Sequence, residues 1–173
     1  MKIKGHVVII GRPNVGKSTL FNCLTRSNSS IISNIPGVTR DYLSQVVFYN
    51  ENKDSGYTIY DTGGYEGDSY CFEPLVWKKN QGIIDKADLI LYMFDGIQGV
   101  QTFEKDLLDY IRKNNKEVIY VVNKIDGKEK ESLSWEFNRI GVMDPVLISA
   151  AHRKGIPALK EEIKLRLNKF DLK

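Results

Sequence analysis

Only two cysteines, Cys23 and Cys71, occur in 173 residues, too few for a disulfide framework. Both fit a reducing compartment, and Cys23 falls within a helical pattern where a small buried thiol is expected. Long apolar runs are lacking as well, and none approaches the length that spans a bilayer. The start, Met1-Lys2-Ile3-Lys4, carries the charge of a secretory leader, but the apolar run Val7–Ile10 is only four residues long. That is too short for a leader core. These absences lead to the expectation of a cytoplasmic protein with no membrane partner. Internal repeats, low-complexity segments and proline-rich linkers are missing too. The net charge is +3, with no dense arginine-rich block. Its lysines are scattered (Lys78, Lys113, Lys116, Lys128, Lys154 and Lys169 among them), as on a solvated surface. Such a balance only weakly permits an RNA partner, and no DNA partner is expected. What remains is 42% hydrophobic and 27% charged, the make-up of an ordinary globular domain large enough for a proper core.

Strand-like apolar runs recur at His6–Ile10, Leu43–Tyr49, Tyr57–Tyr60, Leu89–Phe94, Val118–Val122 and Val146–Ile148. Helical patterns separate most of them. Phe103, Leu107, Leu108 and Ile111 share one helical face, and Ile156, Leu159, Ile163, Leu167 and Phe170 share another. Both stripes read as core packing. Asn52-Lys53-Asp54-Ser55-Gly56 reads as a hairpin turn between the second and third strands. The order β-α-β-β-α-β-α-β-α-β-α predicts an α/β fold with a six-stranded, mostly parallel sheet. One antiparallel edge strand and helices on both faces complete the expectation. In such sheets, ligands sit beyond the carboxyl ends of the strands.

The first strand runs into Gly11-Arg12-Pro13-Asn14-Val15-Gly16-Lys17-Ser18, and a helical pattern begins at Thr19. Strand, glycine loop and helix make the context of a phosphate-binding P-loop, which a chance glycine turn lacks. Gly11 and Gly16 let consecutive N–H groups point inward as an anion nest. Lys17 adds a point charge on the β- and γ-phosphates, and the Ser18 hydroxyl can ligate Mg²⁺. The expected fold is thus that of the P-loop nucleoside triphosphatases.

Asn123-Lys124-Ile125-Asp126 follows the fifth of these strands. A carboxylate at Asp126 can accept from the N1–H and 2-amino group of guanine, donors that adenine lacks. A site built for one base can reject the other by roughly 10⁴ or more. Asn123 would brace the loop, with the Lys124 stem over the base plane. In Ser149-Ala150-Ala151, the Ala150 N–H can reach guanine O6 and Ser149 can hold Asp126. Asp61-Thr62-Gly63-Gly64 ends the third strand. Asp61 can hold Mg²⁺ through a water, and the Gly64 N–H can bond the γ-phosphate. Thr39, in a polar loop from Ser27, can give its hydroxyl to Mg²⁺ and its N–H to the same phosphate. Losing that phosphate would release the segments around Thr39 and Gly64, as in a switch.

These five elements, in this order, resemble the translation-factor-related P-loop GTPases. Gly11–Asn22, Pro36-Gly37-Val38-Thr39-Arg40-Asp41, Asp61–Gly64 and Asn123–Asp126 are most similar to the first G domain of the Der (EngA) tandem GTPases. The resemblance implies slow GTP hydrolysis in large ribosomal subunit assembly, with rRNA or the subunit contacted through the full-length protein. Der proteins resemble two G domains followed by a KH-like domain. This chain holds one, so a single G domain over 1–173, from a larger protein, is expected. A P-loop ten residues from Met1 speaks against insertion deep within a longer protein. Era and the MnmE G domain are alternative relatives.

Where many GTPases place a water-orienting glutamine, this chain has Tyr65. The resemblance implies an apolar residue there and assistance by K⁺, with Asn14 as a K⁺ ligand; a loop-stabilising Asn14 is the other reading. Lys17, Gly64 and Asn14 are therefore the candidate catalytic groups. Arg12 and Arg40 read as structural, and His6 and His152 as structural or solvated. Two rivals stand beside the switch: a guanine-nucleotide-binding module with little hydrolysis, and an ATP-using P-loop kinase.

Overall fold

The computed structural model describes residues 2–26, 29–30, 42–50, 52–62, 81–101, 104–127 and 136–170. Its strands are β1 (Lys2–Gly11), β2 (Ser29–Ser30), β3 (Leu43–Phe48), β4 (Ser55–Asp61), β5 (Leu89–Asp95), β6 (Glu117–Asn123) and β7 (Val146–Leu147). The helices are α1 (Lys17–Thr25), α2 (described over 81–86), α3 (Glu104–Lys113), α4 (described over 136–138) and α5 (Ile156–Phe170). The sheet order is β2-β3-β4-β1-β5-β6-β7. All six expected strands are present, and β3 alone runs against the others. The two-residue β2 adds a seventh strand outside β3, too short and too polar to leave a signal in the sequence.

Alternation along the central strands builds two cores. Successive side chains of a strand point to opposite faces. Val7, Ile9, Leu89, Leu91 and Met93 therefore join Leu20, Phe21 and Leu24 of α1 and Leu159, Ile163 and Leu167 of α5. Val8, Ile10, Ile90, Tyr92 and Phe94 face the other way, toward Ile83 and Ile84 of α2 and Leu108 and Ile111 of α3. A strand buried on both faces reads as one continuous apolar run, and every residue of β5 is buried. Ile156, Leu159, Ile163 and Leu167 of the α5 stripe are core, as their spacing predicts; the Phe170 side chain lies outside the described residues.

β1 is longer than its apolar run. Lys2 and Ile3 pair with Ser55 and Gly56 of β4, with an irregularity before His6. Backbone hydrogen bonding extends the strand where side chains give no alternating signal. β4 likewise begins at Ser55, so the last two residues of the expected turn belong to the strand, and Tyr49 N–H donates to Ser55 O at 3.0 Å. Cys23 is half-buried rather than enclosed, and its Sγ donates to Ala150 O at 3.3 Å.

β1 lies between β4 and β5, where the order of strands reverses. Its carboxyl end is the crevice in which such sheets take ligands. The sheet is held there by an aromatic group on β5: the Phe94 ring centroid is 4.7 Å from that of Tyr92 and 5.0 Å from that of Phe137. Phe94→Ala should lower the free energy of unfolding by about 3–5 kcal/mol in urea titration, with the slope unchanged.

Candidate nucleotide site

α1 starts in a way that suits an anion. Its N-cap is Gly16, in the left-handed region at φ 104°, with no side-chain cap and no acidic residue in the first turn. With no capping hydroxyl or carboxylate, the first N–H groups of the helix are left available to a ligand. A Cβ at Gly16 would collide with the Asn123 amide. At Gly11 it would stand 2.6 Å from Met93 O, so both positions need glycine. Asn14, exposed at the loop's tip, also has positive φ, at 62°. Lys17 is buried, and its ammonium donates to the carbonyl oxygens of Gly11 (2.9 Å) and Arg12 (2.7 Å). The loop is thereby closed by the charge expected to meet phosphate.

Asn123 ties this loop to the next two. Its Nδ2 donates to Val15 O at 2.8 Å, and its Oδ1 accepts the Ala150 N–H at 2.9 Å. The expected brace is there, and it corrects one assignment. The Ala150 N–H, read as a donor to guanine O6, is engaged by Asn123 and shapes the site instead. A second correction concerns Asp126. Among the described residues, no hydrogen bond joins it to Ser149, which is buried and pairs through its backbone with Lys154. The neighbour of Asp126 is His152, with Nε2 3.8 Å from Oδ1. His152 is exposed, in keeping with the solvated reading, and a turn that sequence spacing does not show brings it beside Asp126.

Asp61 is buried at the end of β4, and Ser18 is exposed at the start of α1. Thr62 was read as part of the phosphate site, but its hydroxyl is spent on Ile9 O at 2.8 Å, fastening β4 to β1. Ile125 is buried beneath the loop, its N–H on Ile148 O at 3.0 Å. Pro13 is half-buried, and Thr19 and Ala151 are exposed. Thr39, Arg40, Gly63, Gly64 and Tyr65 lie outside the described residues. His6 is structural: its ring nitrogen and the Tyr60 hydroxyl are 3.0 Å apart.

Two buried carboxylates behind the loop escaped sequence reading. Asp95 ends β5, and its Oδ2 accepts from Lys124 Nζ at 2.7 Å. Burial alone would raise its pKa, but the Lys124 ammonium and the Gln98 and Ile97 amides together hold it below the ordinary value. The stabilisation that follows is present above the carboxylate range and is lost as pH falls through that lowered value. Glu104, in the first turn of α3, is 1% exposed. Its pKa is raised by burial, against the opposing Gln101 amide and Arg12 guanidinium. Sequence offers no signal for either, since an acid that ends an apolar strand or lies in a polar stretch normally reads as surface.

A strand, a glycine-bearing loop and an uncapped helix at the sheet's switch point define a P-loop nucleotide-binding domain. The profile described as 50S ribosome-binding GTPase matches residues 6–124, more than half of the chain, and the chain belongs to that family. It is 40% identical over 161 residues to GTPase Der of Xanthomonas campestris pv. campestris (strain B100). The match covers 93% of this chain and 34% of that protein. GTPase Der of Syntrophobacter fumaroxidans gives 40% identity over 158 residues, with 91% of this chain and 35% of that protein covered. The chain thus spans about a third of these relatives' length. Among solved structures, Aquifex aeolicus Era bound to GDP·AlF4⁻ shares 31% identity and a TM-score of 0.69, covering 97% of this chain and 57% of that one. The G domain of the T. maritima FeoB iron transporter shares 27% identity and a TM-score of 0.65, covering 93% of this chain and 97% of that one.

Two outcomes follow. Asn123→Ala strands Val15 O and the Ala150 N–H in a buried site, and should cost about 2–4 kcal/mol of stability in urea unfolding. Glu104→Gln should be more stable than the wild type at pH 7. A raised carboxyl pKa means that folding loses stability as pH rises through it, so the advantage should vanish on acidification to the carboxylate range. Thermal unfolding of both proteins across pH checks this.

Proposed function

We propose that this chain is a GTP-binding and GTP-hydrolysing switch domain that serves, within a longer protein, the assembly of the large ribosomal subunit. The observation that carries the guanine-nucleotide reading is Asn123, whose side chain bonds the phosphate loop at Val15 and the Ser149–Ala151 loop at Ala150. Base and phosphates would then be read by one braced unit. Asp126 is half-exposed beside it, a carboxylate able to accept both edge donors of guanine. With the Ala150 N–H engaged, Ala151 supplies the amide for O6.

For hydrolysis, the reading is in-line attack of water on the γ-phosphate. Lys17 and the loop N–H groups hold the phosphates and meet developing charge. Ser18 and Asp61 offer the hard oxygen donors that suit Mg²⁺, with Thr39 as a further ligand. When bound, this ion would neutralise phosphate charge. Gly64 N–H would bond the γ-phosphate. Asn14 is read as a ligand for K⁺, which its exposed position at the loop tip suits. Tyr65 cannot present an amide to water, so turnover by the isolated chain is slow. The family's description as 50S ribosome-binding supports the large-subunit role; a solved Era bound to nucleotides 1506–1542 of 16S ribosomal RNA, a small-subunit RNA, supports only contact with ribosomal RNA in general. Among the described residues no helix is long and apolar enough to cross a membrane, and a cytoplasmic setting belongs to the proposal.

Hydrolysis followed in KCl and in NaCl separates the switch from a mere binding module. Marked stimulation by KCl is expected, and no turnover in either salt would favour the module. Asp126→Asn should lose GTP affinity by about 10²-fold or more and gain affinity for xanthosine triphosphate. Unchanged GTP binding in that variant would remove the base-site assignment.

A further inference from the structure

We propose that Asp95 is a positioning residue for the nucleotide, acting through Lys124 and Arg12 to join the base loop and the phosphate loop into one rigid unit. The inference rests on the guanine-nucleotide reading above. Asp95 ends β5, the strand beside β1, and its side chain is 2% exposed. Its two oxygens divide the work. Oδ1 accepts the N–H groups of Ile97 (2.8 Å) and Gln98 (3.0 Å), shaping the turn that follows its own strand. Oδ2 faces two cations from two other loops: Lys124 Nζ at 2.7 Å and Arg12 Nη2 at 3.9 Å.

Each cation is held in a costly way. Lys124 has a left-handed backbone, φ 68°, a conformation that non-glycine residues avoid unless their surroundings impose it. Its flexible stem keeps one path, from the Asn123–Asp126 loop to the end of β5, only while its head is anchored. Arg12 is buried with its phosphate loop, and Nη2 makes no hydrogen bond among the described residues. A buried guanidinium needs nearby carboxylate charge, and Asp95 supplies it, with Glu104 adding to the field. Asn123 and Asp95 therefore form two separate ties between the same two loops. Asn123 works through neutral hydrogen bonds and Asp95 through charge.

The merely local reading is that Asp95 shapes the turn at Ile97 and Gln98. Asp95→Asn keeps an acceptor for those amides but removes the charge and turns the atom that faces Lys124 into an N–H donor. Lys124→Met keeps the apolar stem over the base and removes only the ammonium. GDP binding to the whole chain is measured for the wild type, both single variants and the double variant. Each single variant should weaken GDP binding by about tenfold to a hundredfold, the range for a charge-assisted hydrogen bond. The double variant should lose no more than the weaker-binding single variant, since both remove one tie. Losses that multiply, or wild-type affinity in Lys124→Met, would overturn the proposal.

Should Asp95→Asn fail to fold, amide resonances of nucleotide-free Lys124→Met decide. Shifts reaching Gly11–Gly16 as well as Asn123–Asp126 support the second tie, and an unmoved phosphate loop overturns it. A wild-type chain that takes up no GDP sinks the guanine reading and this inference together. Wild-type uptake with unaltered variants sinks this inference alone.

Discussion

One amide organises the site. Asn123 closes β6, and its side chain uses both halves at once, donating a hydrogen bond to Val15 O and accepting one from the Ala150 N–H. Three loops after three different elements are thereby fixed to one another before any ligand arrives. Preorganisation of this kind matters because a loop that must be ordered on binding weakens the affinity by its lost freedom. Gly16 lies directly against the same amide, so the phosphate loop can approach only because a glycine stands there. Asp95 does for charge what Asn123 does for neutral groups, from the neighbouring strand.

The sheet makes that junction possible. β1, β5 and β6 are parallel neighbours, so Gly11, Asp95 and Asn123 emerge together at the carboxyl ends of the strands. Their registers pair Gly11 with Met93 and Asp95 with Asn123. The two cores, one under α1 and α5 and the other under α2 and α3, hold these strands from both faces. Chemistry at these strand ends thus depends on apolar alternation within the sheet. Small residues there let loops meet, and buried polar side chains join them.

Much of this was legible in the residues, for physical reasons. Fully buried strands and the glycine loop leave strong local patterns, so β1, β5, β6 and the Gly11–Ser18 loop could be read from alternation and spacing. The α5 stripe was legible because helical periodicity over fifteen residues is hard to produce by chance. β2 was not, since two serines carry no pattern. Long-range polar pairings were legible only where a motif named them. Asn123 was read as a brace, but its partner Ala150 was assigned to the base, because sequence does not show which acceptor an N–H finds first. Asp95 and Glu104 were missed for a related reason: burial of an acid depends on cations arriving from distant segments. His152 beside Asp126 depends on the fold of one tight turn.

Hydrogen exchange on the whole chain, with and without ligand in the presence of Mg²⁺, tests whether these loops behave as one unit. Saturating GDP should protect amides of Gly11–Ser18, Asn123–Asp126 and Ser149–Ala151 together, while ADP at the same concentration protects none of them. Protection by ADP as strong as by GDP, or protection confined to one of the three loops, would contradict a braced, guanine-reading site.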